Sequence, residues 1–179
     1  LLQTAGILER QSGLVLLLSG DVPLLRRHTL ADLVEKHRES QAAATVLSAL
    51  VERPYGYGRI VRVRGKISRI VEERDASPAQ RKIREINSGV YVFSLASLFE
   101  ALRGLATGNA QGEYYLTDLI SSYRHRRFGV EVVVVEDQNE IRGINSRSEL
   151  AEASRIVRQK KNEELMAAGV TIEDPATTY

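Results

Sequence analysis

A short apolar run stands near the start of the chain and ends in small and polar residues. Residues Leu14–Leu18 are all Leu or Val, and Ser19, Gly20 and Asp21 follow them directly. Continuous apolar runs of this length are typical of strands that are buried on both faces of a parallel sheet. The pattern therefore predicts a buried strand, with Asp21 at its carboxyl end.

The next segment has the spacing of a helix. Thr29, followed three residues later by Asp32, predicts a helix start. Apolar residues three and four positions apart then continue to about Ser40. This spacing predicts one amphipathic helix directly after the first strand.

Strand-like and helix-like patterns alternate along the rest of the chain. Two β-rich runs around Gly65 predict a hairpin. Ser146 and Glu149 predict a capping box at the start of a long helix, over residues 146–168, that ends at Gly169. Strands are also predicted over residues 42–50, 59–64, 67–72, 85–93 and 130–135 and near Ile141, and helices over 78–83, 95–105 and 113–126.

This order of elements predicts the fold class. Strands that alternate with helices, together with one hairpin, indicate an α/β protein with a doubly wound, mixed and mostly parallel sheet. Residues 1–169 are expected to form one folded unit. Residues 170–179 look like the start of a further segment, and the first residues lack the features of a signal peptide. We therefore expect the chain to be an internal piece of a longer protein.

Composition narrows the possible partners. The formal net charge is +2 and there is no cysteine. The charge is too small to favour nucleic acid or an anionic membrane, and disulfides and thiolate metal sites are excluded. No apolar run approaches the roughly 20 residues of a membrane span. The cytoplasm is the expected compartment, with neither nucleic acid nor membrane as partner.

Few individual residues indicate chemistry by themselves. Asp21 follows the first predicted strand, where a turn role is the simpler interpretation. Asn145 precedes the long predicted helix, where a cap role is the simpler interpretation. Gly58 permits close approach of a ligand, but it also suits a tight loop. Glu72 and Asn87 could bind sugar hydroxyl or acetamido groups, or could be solvated strand ends. These alternatives stay open at the level of single residues.

Several common chemistries have no support in the sequence. The three histidines are isolated from the partners that metal-binding helices use. A nucleophile elbow, a Walker A loop and an H-E-x-x-H pattern are all missing from the sequence. Taken alone, the residue patterns thus reach an α/β domain with a possible polar site.

An ordered set of motifs points further. The sequence resembles the uridyltransferase domain of the bifunctional N-acetylglucosamine-1-phosphate uridyltransferase/glucosamine-1-phosphate acetyltransferase family, whose domain belongs to the nucleotide-diphospho-sugar transferase (Rossmann-like) type. The resemblance covers almost the whole chain. The motifs that carry it are LSGDVPLL (18–25), PYGYGRIVR (54–62), IVEERDAS (70–77), EINSGVYVF (85–93), NAQGEYYLTDLI (109–120) and IRGINSRSELA (141–151).

The resemblance implies a magnesium site. Asp21 matches the family's magnesium-binding aspartate, and Asn145 matches the asparagine that completes the metal site and touches the sugar nucleotide. No other residue of the chain is expected to act directly in catalysis. The residues expected to bind substrate are Ser19, Gly20, Asp21, Gly58, Glu72, Asn87 and Asn145.

The resemblance also implies the reaction. A phosphate oxygen of N-acetylglucosamine 1-phosphate attacks the α-phosphorus of UTP, which yields UDP-N-acetylglucosamine and pyrophosphate. Mg²⁺ stabilises the phosphate charge, so positioning and electrostatics supply most of the catalysis. The product would serve peptidoglycan and lipopolysaccharide synthesis. The alternatives are another sugar-1-phosphate nucleotidyltransferase or a non-catalytic sugar-nucleotide-binding module.

The resemblance leaves parts of the family's protein outside this chain. The family's Gly-rich nucleotide loop would precede Leu1, and we therefore expect the chain alone to be inactive. Residues 170–179 resemble the start of the family's left-handed β-helix acetyltransferase domain. The longer protein is expected to acetylate glucosamine 1-phosphate as well, and to form a homotrimer through that domain.

Overall fold

The computed structural model describes residues 1–178, which contain one mixed sheet of six strands and six α-helices. The strands are β1 (Leu14–Leu17), β2 (Ala44–Leu50), β3 (Arg59–Val63), β4 (Lys66–Val71), β5 (Glu85–Ser94) and β6 (Val130–Val135). The helices are α1 (Ala5–Leu8), α2 (Arg27–Ser40), α3 (Pro78–Arg81), α4 (Leu95–Arg103), α5 (Asp118–His125) and α6 (Arg147–Ala167), with 3₁₀ helices at Leu2–Thr4 and Gln138–Ile141.

The sheet is centred on β5. The strand order is β4-β3-β5-β2-β6, and β1 also pairs with β5. Residues Leu14–Leu17 of β1 lie antiparallel to the second half of β5, whereas Arg59 of β3 pairs with Ile86 near the start of β5. Because β2 occupies the other edge of β5 along both halves, β1 and β3 must follow each other along the same edge.

The directions of the strands differ from the prediction. The α/β class and the mixed sheet are confirmed, but of the five strand pairings only β2 with β6 is parallel. The prediction of a mostly parallel sheet was wrong because β5 runs against all three of its neighbours. The prediction that β1 is buried on both faces was also wrong. All four of its residues are half-buried, and within the described chain it pairs with β5 alone.

The core lies on both faces of the sheet. Alternate residues of the central strands point to opposite faces, so that Tyr91 and Phe93 pack with helices α4 and α5, while Val90 and Val92 pack with Leu33 of α2. Helices therefore cover the sheet on both sides, as the sequence predicted. Among the described residues, no helix is both long enough and apolar enough to cross a membrane.

Two local predictions in the helical parts of the chain were wrong. Helix α2 begins at Arg27 without a side-chain cap. Thr29 lies inside the helix, where its hydroxyl donates to the Glu140 carboxylate at 2.5 Å and does not cap the helix. The segment near Ile141 is a 3₁₀ helix and not a strand. Its first turn is capped by Asp137, whose carboxylate accepts the Asn139 N–H at 3.0 Å.

Helix α6 was predicted well at both ends. Ser146 is the N-cap and accepts the Glu149 N–H at 3.2 Å. The helix ends just before Gly169, which has a φ of +94°. The N–H groups of Gly169 and Val170 donate to the carbonyls of Met166 and Leu165, the pattern of a Schellman motif. The Glu149 carboxylate differs from a standard capping box because it accepts the Asn145 N–H, one residue before the cap.

Candidate active site

The candidate site lies where β1 ends and β3 begins along the shared edge of β5. Between the two pairings, the register of β5 against β2 shifts from Tyr91–Val46 to Asn87–Ser48, so that extra residues of β5 bulge from the ladder. Side chains satisfy the backbone there: the Asn87 amide oxygen accepts the Gly89 N–H at 3.2 Å, and the Ser88 hydroxyl accepts the Val90 N–H at 3.1 Å. Bulges of this kind redirect side chains and are frequent beside active sites.

Gly89 lets the end of β1 approach this bulge. The Ser19 hydroxyl donates to the Gly89 carbonyl at 3.3 Å. Gly89 has a φ of +78°, and a Cβ at this position would lie 2.6 Å from Ser19 Oγ. The positive φ therefore favours glycine, and any larger residue would also have to displace the Ser19 hydroxyl. This contact places the Ser19-Gly20-Asp21 segment beside Asn87.

Asp21 and Asn145 converge on Gly143. The Ile144 N–H donates to the Asp21 carbonyl at 2.8 Å, which joins the turn after β1 to the segment before α6. An ideal Cβ at Gly143 would lie 3.5 Å from Asp21 Oδ2 and 3.6 Å from Asn145 Nδ2. Both side-chain ends thus lie near one point, although 124 residues separate the two positions in the sequence.

The pair suits a hard cation such as Mg²⁺. A carboxylate oxygen and an amide oxygen are the ligand types that Mg²⁺ takes from proteins, usually one or two of them alongside water and phosphate oxygens. Turning the Asn145 amide over exchanges its nitrogen for its oxygen. Both residues are exposed to solvent. Within residues 1–178, no group of three or more His, Cys, Asp or Glu side chains could hold a metal ion.

Glu149 holds Asn145 in place. Its carboxylate accepts the Asn145 N–H at 2.7 Å and the Ser146 hydroxyl at 3.0 Å. These hydrogen bonds, first of all the one from the Asn145 backbone, lower the pKa of Glu149. The carboxylate therefore stays ionised and keeps the backbone at Asn145 fixed.

A second polar group lies across the bulge, at the open end of the β3–β4 hairpin. A Cβ at Gly58 would lie 3.3 Å from Glu72 Oε2, and the Gly58 carbonyl accepts the Asn87 N–H at 2.9 Å. The Thr117 hydroxyl donates to Glu72 Oε1 at 2.8 Å. The structure therefore brings Gly58, Glu72 and Asn87 together, and the contact between Ser19 and Gly89 joins them to the segment that carries Asp21.

Tyr91 is buried next to Asn87 and Glu72. Burial raises the pKa of its hydroxyl well above the ordinary value, against a smaller opposing effect of the hydrogen bond with Asn87, and the nearby Glu72 charge raises it further. The phenol stays protonated and stacks on Phe93 with ring centroids 5.3 Å apart. Beside Glu72, a cavity of about 440 Å³ opens between β4 and α5, lined in part by Tyr115 and Asp118.

Sequence reasoning missed four residues of this site. The contributions of Gly89, Tyr91, Thr117 and Glu149 come from contacts between distant segments. Gly89 did lie in the quoted EINSGVYVF motif, and a glycine inside a β-rich run is a signal for a bulge. Neither Tyr91 nor Thr117 has a comparable local signal. Glu149 was identified from its spacing to Ser146, but as a cap and not as a support for Asn145.

The fold is shared with a solved structure of low sequence identity. The chain superposes on the crystal structure of a Bacillus anthracis protein assigned as a glucose-1-phosphate thymidylyltransferase, with a TM-score of 0.53 and 19% identity, over 98% of this chain and 64% of that one. The sequence profile described as "Nucleotidyl transferase" matches residues 1–140. The chain belongs to this nucleotidyl transferase family.

Curated relatives are more similar in sequence. The chain is 51% identical to the bifunctional protein GlmU of Syntrophotalea carbinolica, over 96% of this chain and 37% of that relative. It is 48% identical to the bifunctional protein GlmU of Pelotomaculum thermopropionicum, over 100% of this chain and 39% of that relative. The chain thus spans less than two fifths of the length of these relatives.

Proposed function

We propose that this chain carries the metal-binding and sugar-binding residues of a uridylyltransferase that makes UDP-N-acetylglucosamine and pyrophosphate from UTP and N-acetylglucosamine 1-phosphate. The observation that carries the proposal is the convergence of Asp21 and Asn145 beside Gly143. The family match and the identity to the GlmU relatives support it.

In this mechanism, the chain's residues bind and orient the substrates. Gly58, Glu72 and Asn87 would receive the sugar, with Glu72 and Asn87 bonding hydroxyl or acetamido groups. Asp21 and Asn145 would hold Mg²⁺, which neutralises phosphate charge in the transition state. The attacking phosphate oxygen is already ionised near neutral pH and needs no general base, so none of these side chains has to move a proton.

The proposal also includes the domains of the longer protein. Residues 1–169 would be the C-terminal part of a uridyltransferase domain, and residues 170–179 would begin a left-handed β-helix domain that acetylates glucosamine 1-phosphate and forms a trimer. Asn162 of α6 donates to the Pro175 carbonyl at 2.9 Å, so the segment after Gly169 folds back against this helix. We place the protein in the cytoplasm, where its nucleotide substrate is found.

Calorimetric titration of the chain with UDP-N-acetylglucosamine and Mg²⁺ tests the sugar site. A pyrophosphate-release assay in the longer protein tests the chemistry. Replacing UTP by dTTP, or the acetamido sugar by glucose 1-phosphate, should lower the rate. A higher rate with either replacement would indicate another sugar-1-phosphate nucleotidyltransferase. Binding without pyrophosphate release would indicate a non-catalytic module.

Asp21→Ala in the longer protein should reduce uridylyl transfer at least about a hundredfold and leave acetyl transfer unchanged. Asp32→Ala is the matched control, because it removes an exposed aspartate of α2 and should leave both activities intact. Retained uridylyl transfer in the Asp21 variant would remove this residue from the metal role.

A further inference from the structure

Arg59 is a buried cation at the start of β3. Its side chain is 1% exposed, and its guanidinium donates to the Glu73 carboxylate at 2.5 Å and to the Tyr57 carbonyl. Its Nε is the one buried side-chain polar atom of the described chain that has no hydrogen-bond partner. Unsatisfied buried donors are rare in folded proteins and call for a physical explanation.

The ion pair lies directly behind the proposed sugar contacts. Arg59 follows Gly58 in the sequence, and Glu73 follows Glu72. In the hairpin, Arg59 pairs with Val71, so Gly58 and Glu72 stand at its open end. The bond between Arg59 and Glu73 therefore spans the two segments whose spacing sets the distance between the Gly58 backbone and the Glu72 carboxylate.

Glu73 also fixes the loop that leads to Gly58. Its Oε2 accepts the Gly56 N–H at 3.2 Å, and its Oε1 lies 3.8 Å from Arg81 Nε of α3. Burial acts to raise the pKa of Glu73, but the bonds from Arg59 and Gly56 outweigh it and lower the pKa. The carboxylate stays charged and holds the loop, β3 and α3 together.

Hairpin stability alone does not explain this arrangement. A buried ion pair is often no more stabilising than apolar side chains of the same volume. The same strand already carries a second pair, in which Arg62 bonds both Glu85 oxygens at 2.6 and 2.7 Å with a partly exposed guanidinium. That pair ties β3 to β5 and lies on the far side of Arg59 from Gly58.

We infer that Arg59 and Glu73 form a positioning pair that sets the spacing of Gly58 and Glu72 and thereby the affinity for the acetamido sugar. The inference rests on the proposed function, which assigns sugar binding to Gly58 and Glu72. It adds two residues that act through these contacts and do not touch the substrate.

The test compares Glu73→Gln with the matched control Glu85→Gln, each of which neutralises one glutamate of an Arg–Glu pair on β3. With both variants made in the longer protein, titration with UDP-N-acetylglucosamine at saturating Mg²⁺ should show affinity lowered about tenfold in Glu73→Gln and changed less than about twofold in Glu85→Gln. Arg59→Lys should resemble Glu73→Gln, because an ammonium lacks the planar fork that reaches Glu73 and the Tyr57 carbonyl together.

Two further measurements exclude a merely structural role. Mg²⁺ affinity should be unchanged in Glu73→Gln, since Asp21 and Asn145 lie on other segments. Hydrogen exchange at the Gly56 amide should become faster in Glu73→Gln and stay unchanged in Glu85→Gln. An equal loss of sugar-nucleotide affinity in both variants, or unchanged exchange at Gly56, would overturn the positioning role.

Failure of the proposed function gives a different result. In that case the unaltered longer protein would bind no sugar nucleotide, so the role in sugar binding would fall with the proposed function. Faster exchange at Gly56 in Glu73→Gln would then show only that the pair braces the loop.

Discussion

Glu140 joins the two segments that carry the candidate metal ligands. It is 2% exposed, and its carboxylate accepts the Thr29 hydroxyl at 2.5 Å and the Arg26 N–H at 3.2 Å. Arg26 follows the turn that carries Asp21, and Glu140 precedes the segment that carries Asn145. The buried Glu140 carboxylate thus joins the start of α2 to the segment that leads into α6.

Glu140→Ala should therefore be strongly destabilising. It leaves the Thr29 hydroxyl buried without a partner, which costs about 1–3 kcal/mol, and removes a second hydrogen bond to a charged group. The Arg26 guanidinium, whose Nε lies 3.5 Å from the Glu140 carboxylate, can be solvated instead because this side chain is 39% exposed. The expected loss of unfolding free energy is about 3 kcal/mol. Glu140→Gln keeps an acceptor oxygen and should lose only about 1 kcal/mol.

Urea unfolding followed by circular dichroism measures both losses. The control is Glu152→Ala, which breaks an exposed pair with Arg155 at 2.8 Å and should change stability by less than about 0.5 kcal/mol. If Glu140→Ala lost no more stability than this control, the buried network would not connect the two segments as the structure indicates.

Two other predictions concern stability and close packing. Burial lowers the pKa of His37, so its stabilising contribution should be complete above the unfolded-state pKa of about 6.5 and decline as the pH falls below that value. His37→Gln should show a weaker decline in urea unfolding, and an identical decline would contradict a neutral buried imidazole. Gly89→Ala should cost more stability than Gly65→Ala, because both glycines have a φ of +78° but only at Gly89 would a Cβ meet Ser19 Oγ, at 2.6 Å. Equal losses in thermal unfolding would show that this close approach does not matter.

The sequence predicted most elements but not the direction of the strands. The apolar residues of β1 and the alternating residues of β5 identify strands because side-chain burial follows local periodicity. Direction depends on which neighbour each strand pairs with, and a run such as Leu14–Leu17 has the same composition in either orientation. For the same reason, the sequence could not show that β1 and β3 share one edge of β5.

The residues of the candidate site were predicted from the family resemblance of their motifs, and not from hydrophobic periodicity or residue spacing. Asp21 and Asn145 each resembled an ordinary turn or cap residue, and only the resemblance gave them a common role. Their supporting contacts could not be predicted, because the Thr29 hydroxyl bonds Glu140 and the Glu149 carboxylate bonds Asn145 only after distant segments have packed. The metal and sugar roles of these residues stay predictions.

A crystal structure with Mn²⁺ and UDP-N-acetylglucosamine would test the shared cation most directly, because Mn²⁺ prefers the same oxygen ligands as Mg²⁺ and scatters anomalously. We expect an anomalous peak within about 2.3 Å of an Asp21 carboxylate oxygen and of the Asn145 amide oxygen, in contact with a phosphate oxygen of the ligand. A peak held by other residues, or a bound nucleotide with no ion between Asp21 and Asn145, would contradict the proposed metal site.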